Sequence, residues 1–178
     1  MKSICVFCGS GHGARPEYSE TARKLGELFV KKNIGLVYGG GSIGLMGDIA
    51  SVMQQNGGHI TGVITKQLVE WEVAYKELED LRVVDTMHER KALMAELADA
   101  FIVLPGGFGT LDEIFEILTW YQLGLHSKQY GFLNVNRFYT PLISFLEHVV
   151  DQKFIKPENF TNIKLEEEPE ALLEMMGF

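Results

Sequence analysis

Cysteine is scarce in this 178-residue chain, with only Cys5 and Cys8 present. Two thiols cannot make a four-ligand zinc site. Residues three apart on an extended strand stand roughly 10 Å apart, beyond the ~7 Å that a disulfide can span. A redox Cys-x-x-Cys opens a helix, whereas Gly9-Ser10-Gly11 follows here, so the pair reads as structural. Positive charge is also short: 16 Lys and Arg against 24 Asp and Glu give a net charge of −8. A nucleic-acid backbone partner needs clustered cations and is excluded. No run approaches the roughly 18 apolar residues that cross a bilayer. The apolar part of Met1-Lys2-Ser3-Ile4-Cys5-Val6-Phe7 is too short for a secretory signal and reads as a first strand, so the cytoplasm is the expected compartment. His12, His59, His88, His126 and His148 lack metal-ligand spacing, and no metal is expected. No Gly-Lys-Ser/Thr closes a P-loop, and no serine sits in a Gly-x-Ser-x-Gly elbow.

What the chain does have is short apolar runs alternating with amphipathic helical patterns. Strands are expected at 4–7, 35–38, 59–64, 81–84, 100–104, 131–135 and 162–165. Helices are expected at 16–32, 45–56, 87–98, 110–123, 141–151 and 170–176. This alternation predicts a single Rossmann-like α/β domain, 1–178, doubly wound: a mostly parallel sheet of about seven strands with helices on both faces. Ligands of such sheets bind beyond the carboxyl ends of the strands, near the point where strand order reverses.

Three expected strand ends carry glycine loops: Gly9-Ser10-Gly11, Gly39-Gly40-Gly41-Ser42-Ile43-Gly44, and Pro105-Gly106-Gly107-Phe108-Gly109-Thr110. They converge on one sheet edge and suggest one nucleotide-sized site, with backbone amides and a helix N-terminus holding phosphate. Gly39, Gly41 and Gly44 match the dinucleotide fingerprint, but the acidic residue expected about 20 positions on is replaced by Ile64, Thr65 and Lys66. Lys66 leaves only a slender case for a 2′-phosphate.

Thr110-Leu111-Asp112-Glu113 has capping-box spacing, so Glu113 reads either as a helix cap or as a carboxylate beside a phosphate. Along that helix Glu113 shares a face with Ile117 and Trp120, while Leu111, Ile114, Phe115, Leu118 and Tyr121 lie opposite. A helix apolar on two sides wants cover on both, which predicts a homodimer with Glu113 near, but not buried under, the interface. In the preceding helix Arg90 and Lys91 interrupt an apolar stripe of Met87, Met94, Leu97 and Ala98. Either an anion lies near them or they snorkel to the surface.

Taken together, 39–47, Met87-His88-Glu89-Arg90-Lys91 and the run 105–113, which contains P-G-G-x-G-T-x-x-E, resemble the LOG ("lonely guy") family of cytokinin-activating phosphoribohydrolases, often labelled possible lysine decarboxylases. The resemblance covers about 4–155. It implies hydrolysis of the N-glycosidic bond of AMP-like nucleoside 5′-monophosphates, N6-prenylated ones included, to free base and ribose 5-phosphate. No cofactor is implied, and the family is dimeric. By position Arg90 and Glu113 become the catalytic pair and Gly106, Gly107, Gly109 and Thr110 the phosphate loop. Gly41 and Ser42 shape the pocket, Glu72 contacts substrate, and Ser10, Lys91 and Asp112 complete the substrate-binding set. Tyr75 stands where many bacterial relatives have histidine after Glu-x-Ala, a change at the base end of the pocket. The alternatives are a nucleotide or cofactor carrier on the same fold, as in the molybdenum-cofactor carriers, and an NAD(P)-dependent oxidoreductase. A decarboxylase would need a pyridoxal phosphate lysine, for which Lys91 is the candidate.

Overall fold

Apolar runs of four or five residues that vanish into both layers of a molecule form its central strands. In the computed structural model, which describes residues 1–71 and 74–178, these are β1 (Ser3–Phe7), β2 (Gly35–Tyr38) and β5 (Ala100–Val103), buried almost throughout. Around them lie β3 (Ile60–Thr65), β4 (Asp80–Val84), β6 (Gln129–Leu133) and β7 (Lys164–Glu166). The seven strands form one sheet in the order β4-β3-β2-β1-β5-β6-β7, and every pairing is parallel. The order reverses between β1 and β5. The helices are α1 (Pro16–Lys31), α2 (Gly44–Gln55), α3 (Lys66–Glu70), α4 (Met87–Leu97), α5 (Phe108–Gln122), α6 (Thr140–Asp151), α7 (Pro157–Thr161) and α8 (Pro169–Met175). Among the described residues no helix is long and apolar enough to cross a membrane.

Two apolar clusters sandwich the sheet. One gathers Leu25 and Phe29 of α1, Ile49 and Met53 of α2 and Leu172 of α8 against Ile4, Val6 and Cys8. The other gathers Met94 of α4 and Ile114 and Ile117 of α5 against Cys5 and Phe7. Strand parity therefore sends the two cysteines to opposite faces, both buried and unbridged.

Two helices escaped the sequence reading. Helices α3 and α7 have five residues each, too few to show a 3.6-residue period. A third difference matters more: α5 starts at Phe108, with extended Gly107 as its N-cap, so Thr110 lies inside the first turn.

Candidate active site

Each of the three glycine loops leaves the carboxyl end of a strand, and backbone bonds tie them together. Gly9 N donates to Pro105 O (3.0 Å), and Leu45 N donates to Gly9 O (3.1 Å). Behind the phosphate-loop candidate, Leu104 N donates to Phe7 O (2.9 Å) and the Tyr139 hydroxyl donates to Leu104 O (2.7 Å). The three loops surround a cavity of about 370 Å³ at the order-reversal point, within the range of small-molecule sites.

Of the residues expected there, Ser10, Gly41, Gly107, Gly109, Thr110, Arg90 and Glu113 line that cavity. Gly106 sits just behind it, in an adjoining pocket with Pro105 and Gly107. Ser42 lines a neighbouring cavity across its own loop, with Tyr75. Glu72 lies outside the described residues. Sequence reasoning missed the apolar wall of Ile43, Met46, Ile64 and Leu68, and Phe108, which is almost fully exposed at the mouth. None of these breaks its local pattern, so nothing singled them out.

The capping-box reading of Thr110 and Glu113 is overturned. No side chain caps α5, and because the helix begins two residues earlier Thr110 cannot serve as its cap. The N–H groups of the first turn are thereby left for a ligand. Glu113 turns inward instead, with Thr110, Ile114 and Ile117 on the buried face. Ile114 therefore shares the face of Glu113, contrary to expectation, while Leu111, Phe115 and Leu118 form a partly buried stripe, Leu111 and Leu118 packing against the core.

The carboxylate meets Arg90: Nη1 donates to Glu113 Oε1 at 2.9 Å, with side-chain exposures of 7% and 10%. Arg90 Nε donates to Val63 O (2.9 Å) and Nη2 to Gly39 O (3.1 Å). The anion demanded by Arg90 on its apolar stripe is thus the protein's own glutamate. Burial pushes the Glu113 carboxyl above its usual range, and Arg90 opposes that rise. Position along α4 is fixed by a capping box: Thr86 Oγ1 accepts from Glu89 N (3.1 Å), and Glu89 Oε2 accepts from Thr86 N (3.2 Å). The sequence carries the signal for this box as Thr86-x-x-Glu89.

Lys91 and Asp112 come together away from the cavity. Lys91 Nζ lies 3.0 Å from Asp112 and 3.1 Å from Glu116, clamping α4 to the first turns of α5. Burial works against its charge, but the two carboxylates outweigh that and hold the ammonium above its ordinary range.

A family model described as "Possible lysine decarboxylase" matches residues 46–176. The probable cytokinin riboside 5′-monophosphate phosphoribohydrolase LOGL2 of Oryza sativa subsp. japonica is 45% identical over 176 residues, covering 99% of this chain and 72% of the relative. The corresponding enzyme LOG7 of Arabidopsis thaliana is 49% identical over 157 residues, 88% of this chain and 72% of its own length. The chain belongs to the LOG family. Solved structures share its fold at lower identity. The molybdenum cofactor binding protein of Rippkaea orientalis aligns with a TM-score of 0.74 at 20% identity, over 99% of this chain and 96% of that one. A Moco carrier protein from Chlamydomonas reinhardtii aligns at 0.70 and 16%, over 99% and 95%.

The older family label implies pyridoxal phosphate, and the residues do not fit it. A Schiff-base lysine must shed its proton inside the site, yet Lys91 is held charged by two carboxylates and does not line the cavity. No lysine is among the residues lining that cavity. Lys66 is not among the residues lining that cavity and pairs at the surface with Asp85.

Proposed function

We propose that this LOG-family chain hydrolyses the N-glycosidic bond of AMP-like nucleoside 5′-monophosphates, N6-prenylated ones included, releasing free base and ribose 5-phosphate. One observation carries the reading: a buried carboxylate, oriented by a buried arginine, lines the same cavity as an uncapped helix N-terminus. The relatives named as phosphoribohydrolases support it.

The first-turn amides of α5 hold the phosphate, where aligned N–H groups and the helix dipole favour an anion. A Cβ at Gly107 or Gly109 would meet nothing within 4 Å, so there is room for that group. The apolar wall of Ile43, Met46, Ile64 and Leu68 takes the base. Cleavage of the bond from C1′ to the base nitrogen leaves positive charge on the ribose, and Glu113 stabilises it. Water adds its oxygen to C1′; its hydrogens divide between the new hydroxyl and the departing base. Arg90 holds the carboxylate through Oε1, which fixes its orientation, and opposes the effect of burial on its charge.

The same reading has two chains pairing along α5 over the partly buried stripe of Leu111, Phe115 and Leu118, in the reducing cytoplasm that suits two unbridged thiols. Sedimentation should return twice the 20.0 kDa of one chain, and Leu118→Glu should halve it; a monomeric wild type removes the dimer. The activity is tested by base release and ribose 5-phosphate formation from AMP, GMP, CMP and N6-isopentenyl-AMP. Turnover of an adenine nucleotide is expected, and turnover of none overturns the reading.

A further inference from the structure

Strands β2 and β3 part company at the site. Their last paired residues are Tyr38 and Gly62; one position beyond, Gly39 and Val63 no longer pair with each other, although β3 stays paired with β4. Both carbonyls accept instead from Arg90, through Nη2 and Nε. The guanidinium therefore fills the gap that opens where β2 ends and β3 runs on, paired only with β4, and it offers its remaining edge, Nη1, to Glu113. Three directed bonds leave it little freedom to move.

Gly39 has no conformational reason to be glycine. Its φ lies outside the left-handed region, unlike Gly40 (φ 72°) and Gly44 (φ 62°) in the same loop. A Cβ built on it would stand 2.1 Å from Arg90 Nη2, inside any tolerable contact, while its next neighbour, Met46 Sδ at 3.1 Å, could yield. We infer that Gly39 is a positioning residue for the reaction, its missing side chain being the space in which the Arg90 guanidinium sits to aim Glu113. This rests on the reading of Glu113 given under the proposed function. It also accounts for the first glycine of the dinucleotide-like Gly39-x-Gly41-x-x-Gly44, which here serves an arginine and not a pyrophosphate.

Gly39→Ala tests it. With AMP as substrate, kcat should fall at least tenfold while KM stays within about threefold, since the phosphate cradle on α5 is untouched. A kcat near wild type, or a loss carried by KM, overturns the inference. Melting temperatures of a double-mutant cycle give a readout independent of activity and usable even where the single variant folds poorly. Gly39→Ala should lower the melting temperature in the wild type but not in an Arg90→Ala background, where the guanidinium is gone; an equal loss in both backgrounds overturns it. If the wild type releases no base from any nucleotide, the proposed function fails, and the melting cycle still decides whether Gly39 seats Arg90.

Discussion

Glu113→Gln removes one charge and keeps the shape. The amide oxygen can still accept from Arg90 Nη1, now at 2.9 Å from Glu113 Oε1, so the seat at Val63 and Gly39 persists. What disappears is the interaction between a carboxylate and the cationic ribose of the transition state. Two opposite charges ~4 Å apart at an effective dielectric near 20 attract by about 4 kcal/mol. At about 1.4 kcal/mol per decade, that is roughly a thousandfold in kcat. Removing one member of a buried pair also costs about 3–5 kcal/mol of stability. Steady-state release of adenine from AMP, followed by chromatography well below the variant's own melting temperature, separates the two effects. The expected result is a folded protein with kcat about three decades down. A folded variant within threefold of wild type would refute the assignment of Glu113 to the reacting centre.

Two further outcomes follow from contacts in and near the loops. A Cβ on Gly106 would lie 2.1 Å from Thr110 Oγ1 and 2.9 Å from Gly9 N, whereas one on Gly109, inside α5, would meet nothing within 4 Å. Gly106→Ala should therefore lose about 1–3 kcal/mol by overpacking and melt several degrees lower. Gly109→Ala should melt at or slightly above wild type, because alanine is the better helix former; equal losses would show that the loop is not packed as described. Asp48 is buried, which alone would raise its pKa, but hydrogen bonds from Ser19, Arg23 and His12 outweigh that and hold the carboxyl below its ordinary range. A depressed carboxylate stabilises the fold above its unfolded pKa, and the gain is lost as pH falls through the folded one. The melting advantage of wild type over Asp48→Asn should be full from neutral pH down to the usual aspartate range and shrink below it; an advantage that does not shrink below that range contradicts the linkage.

How much of this was legible depends on what each feature writes into the sequence. Runs such as Phe101-Ile102-Val103 announce buried strands because both their faces are covered, and the alternation of strand and helix then dictates the doubly wound sheet. Arg90 and Glu113 stood out because each interrupts an apolar pattern. Their mutual bond did not, since they are 23 positions apart and spacing across a helix–strand–helix unit carries no distance. The start of α5 was misplaced because Thr110 and Glu113 mimic a capping box, while the true N-cap, Gly107, contributes only backbone. The seat of Arg90 was invisible for the same reason: the carbonyls of Gly39 and Val63 are acceptors that any residue would supply.

The carrier proteins that share this fold raise the question of what a carboxylate would be doing in the proposed phosphate site at all. For a protein that only holds its ligand, Glu113 is a liability. Like charges ~8 Å apart at an effective dielectric near 20 repel by about 2 kcal/mol, roughly thirtyfold in affinity. An enzyme accepts that repulsion because the attraction to the cationic ribose outweighs it in the transition state, which is differential binding. The two roles therefore demand opposite results from one variant. In Glu113→Gln the repulsion is gone and the Arg90 charge is no longer offset, so both changes favour an anion. Ribose 5-phosphate, measured by titration calorimetry, should bind about thirtyfold more tightly to the same variant that turns AMP over a thousandfold more slowly. Unchanged or weaker binding would make Glu113 a group that holds the ligand or the fold, and the hydrolytic reading would lose its acid.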